Sequence, residues 1–270
     1  MPLVVFGLIA LVVLLVAGAT PQVGRRFLAR WGVPDADEAQ SRQAARYLRD
    51  RRLLCLPLVL FTPGVFALPP HHAELLVLSQ LRHFLPVLVA LLLAEAFSAV
   101  RRVQGPRAAA LSRRGWRDLV PPWAVIVLLA LAAAALLISL LGLFFPPATR
   151  KPPAFPHGGT VTLAVVLGLA AVFGVVLLAV RRGVVADPLV DAALRARSAR
   201  VAVGVGMAFT GYLVFAAHRW VLMLDDVWVP VHSIALLLGL AAIPVSFGTW
   251  FRVARPTRTD PFVRAARPTS

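Results

Sequence analysis

The chain has 270 residues, 59% of them hydrophobic and 15% charged, with a mean hydropathy of +0.81. Soluble domains average roughly 45–50% apolar and about 25% charged residues, so this composition argues against a soluble enzyme, a disordered tail protein and a cysteine-stapled scaffold alike. The net charge of +16 would suit a nucleic-acid binder, but no reading motif accompanies it and the charges are distributed as in a multi-pass membrane protein.

The hydrocarbon core of a bilayer is ~30 Å thick and a helix rises ~1.5 Å per residue, so one crossing needs about 20 mostly apolar residues. Seven stretches approach this: residues 3–19, 53–68, 84–100, 123–145, 160–180, 201–217 and 231–251. The expected fold is therefore all-α, a seven-helix transmembrane domain over residues 1–251 followed by a basic, disordered cytoplasmic tail at 252–270. The first stretch ends in Ala17-Gly18-Ala19, which resembles a signal-peptidase site. A signal peptide carries its basic residues before the apolar run, whereas here Arg25-Arg26 follow it, which favours a retained span.

After Pro34, the pattern Asp35-x-x-Glu38 reads as a capping box with an acidic cap. A charged helix is expected from about Ala36 through Arg52 into the second span, which carries Pro57 and Pro63. Cys55, the single cysteine, lies in this apolar run and reads as a small hydrophobe. The third span is expected to start as an amphipathic stretch from about Ala73 and to bend at Pro86. The fourth and fifth spans are unbroken. Asp187-Pro188 then gives an N-cap followed by Pro at the first helical position. The helix behind it, 189–200, has Leu and Ala on one side and Arg on the other, so it is expected to lie on the membrane surface before the sixth span.

Of the 28 basic residues, 24 fall in the tail and in alternate connectors, those after the first, third and fifth spans. The other four are Arg82, Arg150, Lys151 and Arg219. The positive-inside rule then puts the N-terminus outside and the C-terminus in the cytoplasm, and an even number of spans would destroy the alternation. Arginines on the inner face would attract anionic lipid at about 1 kcal/mol each, so the bilayer itself is an expected partner, a protein partner is open, and nucleic acid is not expected.

Glu95 is the one acid inside a predicted span. A charge at mid-membrane costs at least ~2.5 kcal/mol on insertion scales, so Glu95 is a candidate proton or cation site, or a carboxyl kept neutral or hydrogen-bonded for packing. All six histidines fall on the predicted outer side. His83, His218 and His232 end different spans, and with Asp225 and Asp226 they could bind a metal such as zinc, copper or nickel, or sense pH. The bland alternative is that histidine is simply tolerated at an interface from which arginine is excluded. An Arg219 pair with Asp225 or Asp226 would staple the last outer hairpin. Ala164/Gly168, Ala170/Gly174, Gly204/Ala208 and Ala235/Gly239 permit close helix contact, and Trp123, Trp220, Trp228 and Trp250 suit an aromatic belt. The sequence holds no GxSxG, P-loop, HExxH or intramembrane aspartate pair, so no catalytic residue and no cofactor is assigned.

Three stretches carry a resemblance: Ala45-Arg46-Tyr47-Leu48-Arg49-Asp50-Arg51-Arg52, Arg113-Arg114-Gly115-Trp116-Arg117-Asp118-Leu119-Val120-Pro121, and Asp187-Pro188 through Arg195-Ala196-Arg197-Ser198. Together they resemble uncharacterised multi-pass membrane proteins of actinobacteria. The resemblance implies a bacterial plasma membrane and carries no site across. The function expected first is that of an accessory or interaction subunit, then a small-solute or ion transporter using Glu95, then a membrane enzyme acting on lipid or peptide.

Overall fold

The structure, a computed structural model, describes residues 20–65, 93, 115–144, 158–181, 187–221 and 229–256. Among the described residues the chain is all helical, with α1 at Pro21–Arg30, α2 at Glu38–Val65, α3 at Pro122–Phe144, α4 at Gly158–Arg181, α5 at Pro188–Val221 and α6 at Val229–Val253. A 3-10 turn at Trp116–Asp118 precedes α3. The segments α3, α4, α5 and α6 are long and apolar enough to cross a membrane, the mark of an integral membrane protein. They coincide with the fourth to seventh predicted spans to within two or three residues at most ends, except that α5 begins thirteen residues earlier than its span. The first span lies outside the described residues, as does the third apart from Leu93, which is helical. The second enters the described part as the last half of α2, whose backbone stays helical through Pro57 and Pro63.

The register of the bundle follows from who meets whom. A Cβ on Gly204, Gly211 or Gly239 would strike Trp250, Ser246 or His218 respectively. One residue number rises as the other falls, so α5 and α6 are antiparallel, with small residues at the seam letting the backbones approach. Gly168 and Phe209, then Val172 and Gly206, make the same antiparallel pairing between α4 and α5. Leu128 also meets Gly206 while Leu119 meets Arg200, so α3 runs parallel to α5. The result is an up-down-up-down array with α5 in the middle, packed on α3, α4 and α6. In its apolar window 83% of α5 residues are buried, against 22–39% in the three others, whose outer faces carry Ile126, Leu137, Leu167 and Leu237. Lipid is as apolar as these side chains, so such faces need no further cover in a membrane. The Ala170/Gly174 stripe stays on the exposed face of α4 and joins no described seam.

Four hydroxyls within the spans serve their own helices. Ser139 donates to the Ala135 carbonyl at 2.7 Å, Thr210 to that of Gly206 at 2.9 Å, Ser246 to that of Ile243 at 2.8 Å and Thr249 to that of Val245. Where no water is at hand, this back-bonding satisfies a polar group without a second helix.

Helices α1 and α2 form a separate hairpin. The C-terminus of α1 closes as a Schellman turn: Val33 N–H donates to the Leu28 carbonyl at 2.9 Å, Gly32 N–H donates to that of Ala29 at 3.4 Å, and Gly32 takes φ 85°. Pro34 follows, where it cannot extend the helix. The capping box opening α2 lies two residues later than the sequence suggests. Asp37 Oδ1 accepts from Gln40 N–H at 2.6 Å and Gln40 Oε1 accepts from Asp37 N–H at 2.9 Å, leaving Asp35 outside the helix. The delay has a packing cause: Trp31, Val33 and Ala36 are all buried, and the connector must stay non-helical to bury them. At the hairpin's crossing, a Cβ on Gly24 would lie 2.1 Å from the Ser41 carbonyl oxygen. Gly24→Ala would raise helix propensity by about 1 kcal/mol, but a clash with rigid backbone exceeds that gain. The variant is expected to open the hairpin by about 1–3 kcal/mol net, read as faster protease cleavage between residues 31 and 37; unchanged cleavage would show that the helices are not in contact there.

Candidate functional site: a buried charged hub at the start of α5

The densest polar chemistry among the described residues is at the first three turns of α5. Asp187 begins it, accepting at Oδ1 from the N–H groups of Leu189 at 2.8 Å and Val190 at 3.1 Å, as the Asp-Pro pair predicts. Its other oxygen accepts from the Gln40 side-chain amide, which ties the cap to α2. Asp187→Ala is expected to cost about 1 kcal/mol, seen as faster amide exchange at residues 189 and 190; exchange at the wild-type rate would remove the cap from the account.

One turn on, Asp191 and Arg195 form an ion pair with a closest approach of 2.6 Å, and their side chains are 0% and 3% exposed. It is a charge pairing more than an aligned hydrogen bond, and Arg195 also reaches the Val180 carbonyl on α4 at 3.5 Å. The i, i+4 spacing brings the charges together on one face. Arg197 lies over the Phe27 ring at 5.5 Å, and Ser198 shares a 2.6 Å hydrogen bond with the Tyr47 hydroxyl. Arg200, 2% exposed, donates to the Leu119 carbonyl at 3.1 Å and to the Arg255 carbonyl at 3.2 Å, with its guanidinium over the Trp31 ring at 5.5 Å. A guanidinium is suited to this work, because it offers planar donors and an apolar face at once.

This hub joins five parts of the chain: the α1–α2 hairpin, the connector before α3, the end of α4, α5 itself and the end of α6. It also corrects an expectation. Residues 189–200 do not form a separate helix on the membrane surface; they are the first turns of a continuous 34-residue α5, and from Val190 onward both of their faces are buried or half-buried. The aromatic side of the hairpin takes the place that water or lipid would have had over the arginines. Arg195 and Arg200 are thus held inside the protein, while Arg25, Arg26, Arg30, Arg42, Arg46 and Arg49 are exposed.

The residues singled out from the sequence fare differently. Glu95, His83, Asp225 and Asp226 lie outside the described residues, as do the tail beyond 256 and the side chain of Arg219. His218 is buried near the far end of α5, its ring 4.9 Å from that of Phe215 and pressed against Gly239. His232 is half-buried in the first turn of α6. With His218 level with Gly239, His232 sits two turns, roughly 10 Å, farther along the axis. Among the described residues no group of three His, Cys, Asp or Glu side chains gathers to hold a metal. Trp123 is partly exposed at the start of α3 beneath Arg252, at 5.6 Å, in the manner of a belt residue. Trp250 instead packs inward on Gly204.

Fold and hub together define a helical membrane protein with a consolidated polar end. Compared with known proteins, the chain matches no family model, no curated protein and no solved structure.

Proposed function

We propose that the chain is a seven-span protein of a bacterial plasma membrane, with its N-terminus outside and its C-terminus and hub at the cytoplasmic face, and that it acts as an accessory or interaction subunit. The kinship with actinobacterial multi-pass proteins, carried by the three connector motifs, belongs to the same proposal. The observation that carries the functional reading is the hub. Connectors that only join spans have no need of buried polar ties; here the α1–α2 hairpin, the segment before α3 and the end of α6 are all held to the first turns of α5 as one ordered surface, with exposed arginines beside it. Such a surface suits a protein partner and anionic headgroups. The test is purification in mild detergent at native expression level, followed by mass spectrometry of what is retained. A stoichiometric partner is the expected result, and homogeneous protein without one would overturn the reading. A cysteine placed in the tail of a Cys55→Ser background should be inaccessible from outside intact cells, and labelling there would reverse the orientation.

A second reading, small-solute or ion transport, rests on Glu95 as the one acid inside a predicted span. It predicts that Glu95→Gln abolishes transport while folded protein remains in the membrane. The back-bonded hydroxyls of Ser139, Thr210, Ser246 and Thr249 weigh against it, since each is already engaged by a carbonyl of its own helix.

A further inference from the structure

The geometry points to a phosphate-binding recess between the N-terminus of α1 and the arginine face of α2. Arg42, Arg46 and Arg49 stand at i, i+4 and i+7 on α2, hence on one face, and line a recess of about 110 Å³ together with Pro21 and Ala45. That space holds several waters, and so one tetrahedral anion.

Three features suit it to a phosphate group. Arginine presents forked donors that match phosphate oxygens, and three from one face can reach a single group. Two of them have carboxylates at a looser 3.6 Å, Arg42 with Glu38 in a largely exposed pair and Arg49 with Asp50 in a partly exposed one, and such solvated pairs are of little stabilising value. No carboxylate among the described residues pairs with Arg46, which leaves the recess a net cation. On the opposite wall, α1 opens with Thr20, whose side chain makes no capping bond, and no acid occupies its first turn. The positive end of the helix is therefore unneutralised where an anion would sit. Ala45 is the floor because Gly24 brings the two helices together there.

Position supplies the rest. Pro21 lies two residues after the first predicted span, at headgroup level on the face proposed as cytoplasmic. The source of the phosphate is thus either an anionic lipid headgroup or a free phosphate ion. This inference rests on the proposed orientation for its location but not for its chemistry.

The test titrates the full-length chain in an uncharged detergent with phosphatidylglycerol and, separately, with inorganic phosphate. Two triple variants are compared: Arg42→Gln/Arg46→Gln/Arg49→Gln, and the control Arg25→Gln/Arg26→Gln/Arg30→Gln, which removes equal charge from the exposed side of α1. A tenfold or greater loss of affinity in the first, with the control within twofold of wild type, is the expected result. Binding of phosphatidylglycerol alone identifies the headgroup as ligand, and comparable binding of both identifies the phosphate group itself. Equal losses in the two variants would reduce the effect to the general positive field and overturn the site, as would binding of neither ligand by the wild type. All six arginines are exposed, so both variants should elute as the wild type does on size exclusion; a first variant that does not would show these side chains to be structural and would also overturn it. Labelling of the tail cysteine from outside would overturn the orientation without altering any of these titrations in detergent.

Discussion

Asp191→Ala is expected to lower the thermal midpoint of the detergent-solubilised protein by on the order of 10 °C and to reduce its yield in the membrane. Asp191 and Arg195 are almost without exposure, and their neighbours Val190 and Leu194 are equally buried. Removing one partner leaves a guanidinium buried without its counter-charge, which costs about 3–5 kcal/mol. Removing both is a different experiment. Replacing a buried ion pair by packed apolar residues is often neutral or stabilising, so Asp191→Leu/Arg195→Leu should recover most of the loss. Full stability in the single variant would mean that water reaches Arg195, and failure of the double to recover would mean that the charges hold something beyond each other.

Arg200→Ala should detach several segments at once. The side chain satisfies two backbone carbonyls, Leu119 before α3 and Arg255 after α6, and covers Trp31 at the end of α1. A hydrogen bond to a charged group contributes about 1.5–3 kcal/mol, and burying the orphaned carbonyls adds to the loss. The expected outcome is faster proteolysis both at residues 115–121 and after residue 253, with the membrane spans intact. Arg200→Lys keeps the charge but gathers its donors on one nitrogen, where Arg200 uses two, so it should rescue at most one of the two sites. Cleavage that rises at only one site in Arg200→Ala would show that the segments are held independently.

Much of the fold is legible in the sequence because lipid leaves helices few alternatives. The stretches at 123–145 and 160–180 are apolar on all sides and uninterrupted, and α3 and α4 follow them closely. The Asp187-Pro188 cap is equally legible, because it depends on two adjacent residues and their own backbone. The hub is not. The 189–200 segment has an amphipathic pattern, and the same pattern serves a helix on a lipid surface or one whose arginines meet aromatic rings from elsewhere in the chain. Asp191 four residues before Arg195 is the one local signal of pairing, and i, i+4 pairs are common on exposed helices too. Nothing near residue 200 announces Trp31 as its cover. The capping box illustrates a finer ambiguity: Asp35-x-x-Glu38 and Asp37-x-x-Gln40 have the same chemistry, and burial of Trp31, Val33 and Ala36 selects the second.

The pairs that seat the hairpin on α5 are far apart in the order of synthesis. Gln40 meets Asp187 across 147 positions and Tyr47 meets Ser198 across 151. At about 5–20 residues added per second, the hairpin emerges from the ribosome roughly 8–30 s before its seat exists. During that interval it must hold together on the Schellman turn, the capping box and the Gly24 crossing, all of which are internal to residues 20–45. Phe27, Trp31 and Tyr47 meanwhile have no α5 to cover, so the aromatic side of the hairpin stays open until residues 197–200 are made.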